Sequence, residues 1–302
     1  MELVASQTHS TVSETIYGVS KKCKTISVIP CFVICSMNMT HAVPRSAGLW
    51  IAIFVLQTIA PLAAQQIRVV RFAESDPFRM GTVTSRRIIH PGHGAKNTTL
   101  NLSVSEPGAE FAQHTHGEST DTILVLEGEV NLKQGTSLHL FKAGEFAFVP
   151  KGQIHGTVTA GTGPAVMISF QNPPDLVLYT GARDSSKAGA APPQGEITPG
   201  AVKYGNFRSK NGQFVGREQG ATVVSAFHRK LGRNESFQTA VKPEGEALLF
   251  VWKGAIRVKD STQTYTAGER DTVFVSGSAQ LEVTGDSDTV TELIHVQAPP
   301  LD

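Results

Sequence analysis

From Gln65 to the end of the chain, apolar residues come in short runs, and no long stretch keeps a helical 3.6-residue spacing. Thr98-Thr-Leu-Asn-Leu-Ser-Val104, Thr122-Ile-Leu-Val-Leu-Glu-Gly-Glu-Val130, Phe146-Ala-Phe-Val149, Val166-Met-Ile-Ser-Phe170, Leu248-Leu-Phe-Val-Trp252 and Thr272-Val-Phe-Val275 are the clearest. Glycine, proline and short polar turns break them at intervals of roughly 8 to 15 residues, the punctuation of an all-β sandwich or barrel. Little helix is expected.

Cysteine placement narrows the chemistry. Cys23, Cys31 and Cys35 are the only cysteines, so everything after them lacks disulfides, thiolate metal ligands and thiol nucleophiles. His, carboxylate, hydroxyl and Lys chemistry remain. With 27 basic against 26 acidic residues, no cationic field invites nucleic acid, and a small-molecule partner is expected.

The amino terminus reads as a leader over residues 1–64. His41 and Arg45 precede the apolar run Gly48-Leu-Trp-Ile-Ala-Ile-Phe-Val-Leu56, and Ala60-Pro-Leu-Ala-Ala64 supplies the small residues of a cleavage site. A secreted or periplasmic protein cleaved near Ala64 is expected. The alternative is a membrane anchor over residues 47–64, at the lower length limit for a span. Residues 1–36 lie upstream of where such a signal starts, so Met37 or Met39 reads as the true first residue; a genuine extended leader is the alternative. No integral membrane role is expected of the remainder.

That remainder contains a repeat. Leu100–Gly108 matches Val224–Gly232 in pattern, Glu127–Val130 matches Lys253–Ile256, Ala143-Gly-Glu145 recurs as Ala267-Gly-Glu269, and Phe148-Val-Pro150 as Phe274-Val-Ser276. Two tandem copies of one β module follow: 65–183 and 201–302, joined by a Gly-, Pro- and Ala-rich connector over 184–200.

The first copy carries a histidine constellation. Gly108 is followed after five residues by His114-Thr-His116, then Asp121, with Gly128 after six more; Gly144, Pro150, Gly152 and His155 come later. On a strand, positions two apart share a face, so His114 and His116 point the same way. The turn Gly117–Thr120 returns the chain with Asp121 beside them, and a further strand turned by Pro150 and Gly152 delivers His155. Three imidazoles and a carboxylate in an apolar barrel suit divalent Fe, Mn, Ni, Cu or Zn.

These residues resemble the two motifs of the cupin superfamily, G-x5-H-x-H-x3-4-E-x6-G and G-x5-P-x-G-x2-H-x3-N. Asp121 stands in place of the usual Glu and Thr159 in place of the frequent Asn. Asp reaches about 1.5 Å less; its carboxylate ligates the metal, sits behind the ligands or leaves the place to water. The resemblance implies two jelly-roll barrels, the first with a metal on His114, His116, His155 and Asp121. In the second copy, counting from Gly232 puts Gln238 and Ala240 in the first two His positions, Gln280 or Leu281 in the last and Ala247 in the carboxylate position. That copy reads as a barrel that has lost its site and serves as structure or as an oligomer interface, a small-ligand pocket being the alternative. Whether barrels pair within a chain or between chains stays open.

The resemblance further implies a quercetin-dioxygenase-like oxidoreductase on a small aromatic or enolic substrate, with Asp121 as base. A metal-dependent lyase, decarboxylase or isomerase, and a non-catalytic binding protein, are the alternatives. Phe111, Leu124, Leu126, Phe146, Phe148 and Met167 line the pocket or pack the core, packing being expected for each. His90 and His93 form an exposed loop or a lip over the metal. His139, His228 and His295 are expected at the surface or hydrogen-bonded, Glu118 solvated, and Lys151 and Gln153 in a turn.

Overall fold

In a computed structural model of the chain, residues 65–301 are described. The leader, its three cysteines and the cleavage position at Ala64 lie outside them. Among the described residues the helical elements are five 3-10 turns of three residues each, and everything else regular is strand. No helix among the described residues is long and apolar enough to cross a membrane.

The strands form two barrels, each a large sheet curled over a four-stranded one, with antiparallel pairing throughout the named ladders. In the first barrel the seven-stranded sheet is centred on Thr120–Glu127 and Ala165–Asn172. The smaller sheet runs Glu110–His114, His155–Thr159, Glu129–Gln134, Ser137–Lys142. The halves exchange edge strands. Gln66–Val70 pairs with Thr272–Ser276 of the second barrel, and Lys203–Asn206 pairs with Glu145–Val149 of the first. Each large sheet thus has an edge covered by the other half, which removes two ladders of unpaired amides.

The two large sheets also pack on each other. Along Thr120–Glu127, Leu124 and Leu126 point into a shared core with Phe148, Phe170, Leu248, Phe250, Trp252 and Phe274, whereas Ile123 and Val125 point into the first barrel. Burial on both faces explains why the sequence here is a continuous apolar run. Phe148, Phe170, Phe250 and Phe274 are each at most 1% exposed, and burial of such a side chain contributes roughly 1.5–3 kcal/mol. Leu124, Leu126, Phe146 and Phe148 are therefore core, as expected; Phe111 and Met167 line the first barrel's cavity.

One constant offset relates the copies. Leu102 faces Ile168 as His228 faces Ile294, Val104 faces Val166 as Lys230 faces Glu292, and the amide of Gly144 donates to the carbonyl of Val125 as that of Arg270 does to Val251. On this register Gly108 corresponds to Asn234, and both have left-handed backbone, φ 75° and 64°. The count from Gly232 is thus two residues early. It followed glycine, but the turn needs positive φ, which Asn also tolerates. Ala240, Lys242, Ala247 and Leu281 hold the places of His114, His116, Asp121 and His155. Leu281 joins Leu249, Val251, Val258 and Val273 in an aliphatic interior.

Candidate metal centre

His114 ends the strand Glu110–His114, His116 lies two residues on, Asp121 is second in Thr120–Glu127, and His155 opens His155–Thr159. His155 is the ladder partner of His114. Two glycines make this approach possible. Gly152 turns with φ 81° and donates its amide to the carbonyl of His116 over 2.7 Å, tying the second motif to the first. At Gly156 a Cβ would lie 2.7 Å from the Phe111 carbonyl oxygen, so a larger residue would push His155 away from His114.

All four side chains are buried, and one ligand atom from each lies within 4.8 Å of the others. The Nε2 atoms of His114 and His116 are 3.2 Å apart, and Asp121 Oδ2 lies 3.4 Å from His155 Nε2 and 3.7 Å from His116 Nε2. Each Nδ1 faces an acceptor. That of His114 donates to the Ala112 carbonyl at 2.8 Å, that of His155 to the Gln153 carbonyl at 3.0 Å, and that of His116 to Asp175 Oδ2 at 2.9 Å. With the proton on Nδ1, every Nε2 presents a lone pair to the centre. Two such nitrogens 3.2 Å apart in a buried site share a proton or a metal ion. Three of the donor pairs are 3.2–3.7 Å apart, the spacing of ligands about 2.1 Å from one point, and the donor set is one that suits a divalent transition metal.

The electrostatics differ between the histidines. Burial, and then the neighbouring His155 and His116, hold the His114 pKa well below its ordinary value, so it stays neutral. Burial opposes protonation of His116 too, but hydrogen bonds to Asp121 and Asp175 outweigh it and raise the pKa. For Asp121 burial is likewise outweighed, by hydrogen bonds from His116 and His155, and the carboxyl is held well below the carboxylate range. Its Oδ1 is buried without a hydrogen-bond partner among the described residues.

Three contributors had no spacing signal in the sequence because they come from elsewhere in the chain. Asp175, in the loop after Ala165–Asn172, orients His116 and is itself held by the Arg183 guanidinium, which also donates to the Thr115 carbonyl at 2.6 Å. Gln171 brings its side-chain nitrogen to 3.5 Å from His116 Nε2 and receives the Asp175 amide on Oε1 at 3.4 Å. The connector also reaches the centre. Ser185 donates to the Gln113 carbonyl, the Ile154 amide donates to the Glu196 carbonyl, and Gln153 and Thr198 exchange two hydrogen bonds. Gln153, read as a turn residue, is buried and anchors this strap.

A cavity of about 40 Å³ opens beside His114, His155 and Asp121, with room for roughly three water-sized groups. His90 and His93 do not line it; they sit side by side in a 3-10 turn, ring centroids 4.3 Å apart. Glu118 is exposed and pairs with Lys151 at 3.4 Å. His139 is exposed and stacks on Tyr204. His228 bonds Glu292 at 2.9 Å as expected of a hydrogen-bonded residue. His295 differs: it is buried, with neither ring nitrogen bonded among the described residues.

Comparison with known proteins places this geometry. Residues 101–171 match the family model described as a cupin domain. Among solved structures, the protein Ylba from E. coli is 11% identical with a TM-score of 0.59, covering 78% of this chain and 92% of that one. The bacterial pirin YhhW from Escherichia coli in complex with nickel(II) is 16% identical with a TM-score of 0.58, over 78% and 100%. Oxalate decarboxylase from Bacillus subtilis is 10% identical with a TM-score of 0.57, over 76% and 75%. No curated protein matches the sequence. The fold and the matched motif define a two-barrel jelly-roll protein with a buried group able to hold a metal, and residues 101–171 carry a cupin domain.

Proposed function

We propose that the first barrel is the active site of a metal-dependent, oxygenase-like enzyme acting on a small aromatic or enolic substrate. His114, His116 and His155 would be the ligands, and Asp121 the fourth ligand through Oδ2. The observation that carries this is the convergence of three Nε2 atoms and one carboxylate oxygen at the edge of a cavity. A bound Fe, Mn, Ni, Cu or Zn supplies Lewis-acid or redox chemistry to substrate oxygen and dioxygen. The protein's own part is orientation and proton handling. Asp121, which lines the cavity, would accept the proton of a substrate hydroxyl.

Elemental analysis of purified protein beside His116→Ala and His155→Ala tests the metal. One transition-metal ion per chain is expected in the wild type and a loss in both variants; equally little metal in all three would sink the reading. Product formation with oxygen uptake supports an oxygenase. Turnover without oxygen uptake makes the protein a lyase, decarboxylase or isomerase, and metal-dependent binding without product makes it a binding protein. We read residues 1–64 as an export signal, so the protein recovered from periplasm or medium should begin at Gln65; recovery in the membrane with the leader intact would favour the anchor.

A further inference from the structure

Gln171 joins the metal-ligating residues to the cavity. It is the ladder partner of Asp121, is 1% exposed and lines the cavity. The Asp175 backbone amide donates to its Oε1, which fixes which end of the side-chain amide faces the centre. That end is Nε2, 3.5 Å from His116 Nε2, its one hydrogen-bond partner among the described residues. A bound cation takes the lone pair of His116 Nε2. The Gln171 N–H then loses its acceptor, and a buried donor without one is costly. A ligand oxygen on the cavity side of the centre restores the bond.

Charge and lining say what that ligand is. Ligating imidazoles are neutral, so three of them and the Asp121 carboxylate leave a divalent ion with positive charge to spare, and the centre attracts an anion. Beyond the centre the wall turns apolar. The Phe111 ring centroid lies 5.4 Å from that of His114 and meets Phe78 edge-on at 6.2 Å, and Ile123, Met167 and Leu178 continue the lining. No Lys or Arg is among the lining residues, so the charge of the anion is met at the centre. The cavity is half open, with about 480 Å³ free of protein atoms out to its mouth, and the body of a ligand extends outward along this wall.

We infer that Gln171 is a specificity-determining residue, donating from Nε2 to an oxygen of an organic anion whose charged end lies at the metal and whose apolar body lies against Phe78 and Phe111. The inference rests on the metal reading above. Titration of the Co(II)-loaded protein with benzoate, acetate, benzamide and imidazole, followed in the visible spectrum of cobalt, tests it, with cobalt stoichiometry measured on the same samples. Benzoate should bind about tenfold or more tighter than acetate, which lacks the apolar body, and than benzamide, which lacks the charge. Gln171→Leu should keep its cobalt, lose about tenfold or more in benzoate affinity, and bind imidazole, which offers no oxygen, as the wild type does. Should Gln171→Leu misfold by circular dichroism, Gln171→Met serves, with the same expected pattern. Unchanged benzoate affinity in the cobalt-loaded variant, an equal loss for benzoate and imidazole, or wild-type binding of acetate or benzamide as tight as that of benzoate overturns the inference and leaves the metal reading standing. If the wild type takes up no transition metal, both fall.

Discussion

The Nδ1 of His116 donates to Asp175 Oδ2 over 2.9 Å, and the same oxygen receives Arg183. A carboxylate from a distant loop thereby decides which nitrogen of His116 carries the proton and which faces the centre. Asp175→Asn should keep the fold and weaken metal affinity about 10- to 100-fold, read by competition with a chromogenic chelator. Wild-type affinity in that variant would show that Asp175 does not orient the ligand.

Glu246, on the second barrel, receives the amides of Lys96, Asn97 and Thr98 at 2.6, 2.9 and 3.1 Å. One carboxylate thus closes the loop that leads into the strand Leu100–Ser105 of the other barrel. Glu246→Ala should cost about 2–4 kcal/mol in urea unfolding, since several donors lose their acceptor together. A change within a few tenths would mean that water replaces the carboxylate there.

Burial, and secondarily Arg229, hold the His295 pKa down at about 3. Below its ordinary 6.5 the unfolded chain takes up a proton that the folded chain refuses, so this group makes stability fall as pH drops from 6.5 toward 3. His295→Phe should flatten that part of the stability curve and gain about 1 kcal/mol at neutral pH by removing an unbonded polar ring. An unchanged slope would show that His295 does not resist protonation.

Glu292 behaves in the opposite sense to an unpaired acid. Burial alone would raise its pKa, but hydrogen bonds from His228 and Arg208, the latter at 2.7 Å, bring it down to about 2. Its contribution is present above its ordinary 4.5 and is lost as pH falls toward 2. Glu292→Gln should therefore unfold more easily than wild type at pH 6, the two converging near pH 2. Parallel curves across that range would exclude the linkage.

Much of this was legible in the sequence because it is local. Alternation and turn residues mark strands through neighbours in the chain, and His114, His116 and His155 are placed by a period of two and by turns at Gly117 and Gly152. The register of the repeat slipped where Asn234 does what Gly108 does, since left-handed backbone and not glycine is what the turn demands. Asp175, Gln171 and Arg183 left no pattern, because their contacts with the centre are made by folding and not by spacing.

By itself the sequence determined an all-β chain with a repeated barrel and three histidines plus Asp121 in one copy, since strand period, turn chemistry and motif spacing act over a few residues. Only the tertiary structure decided the strand exchange, the core shared by the two large sheets, the Nδ1 partner of each histidine, and which barrel interior stays open. Those depend on side chains far apart in sequence meeting in a close-packed interior, where Leu281 at the register position of His155 joins an aliphatic core in place of a polar centre.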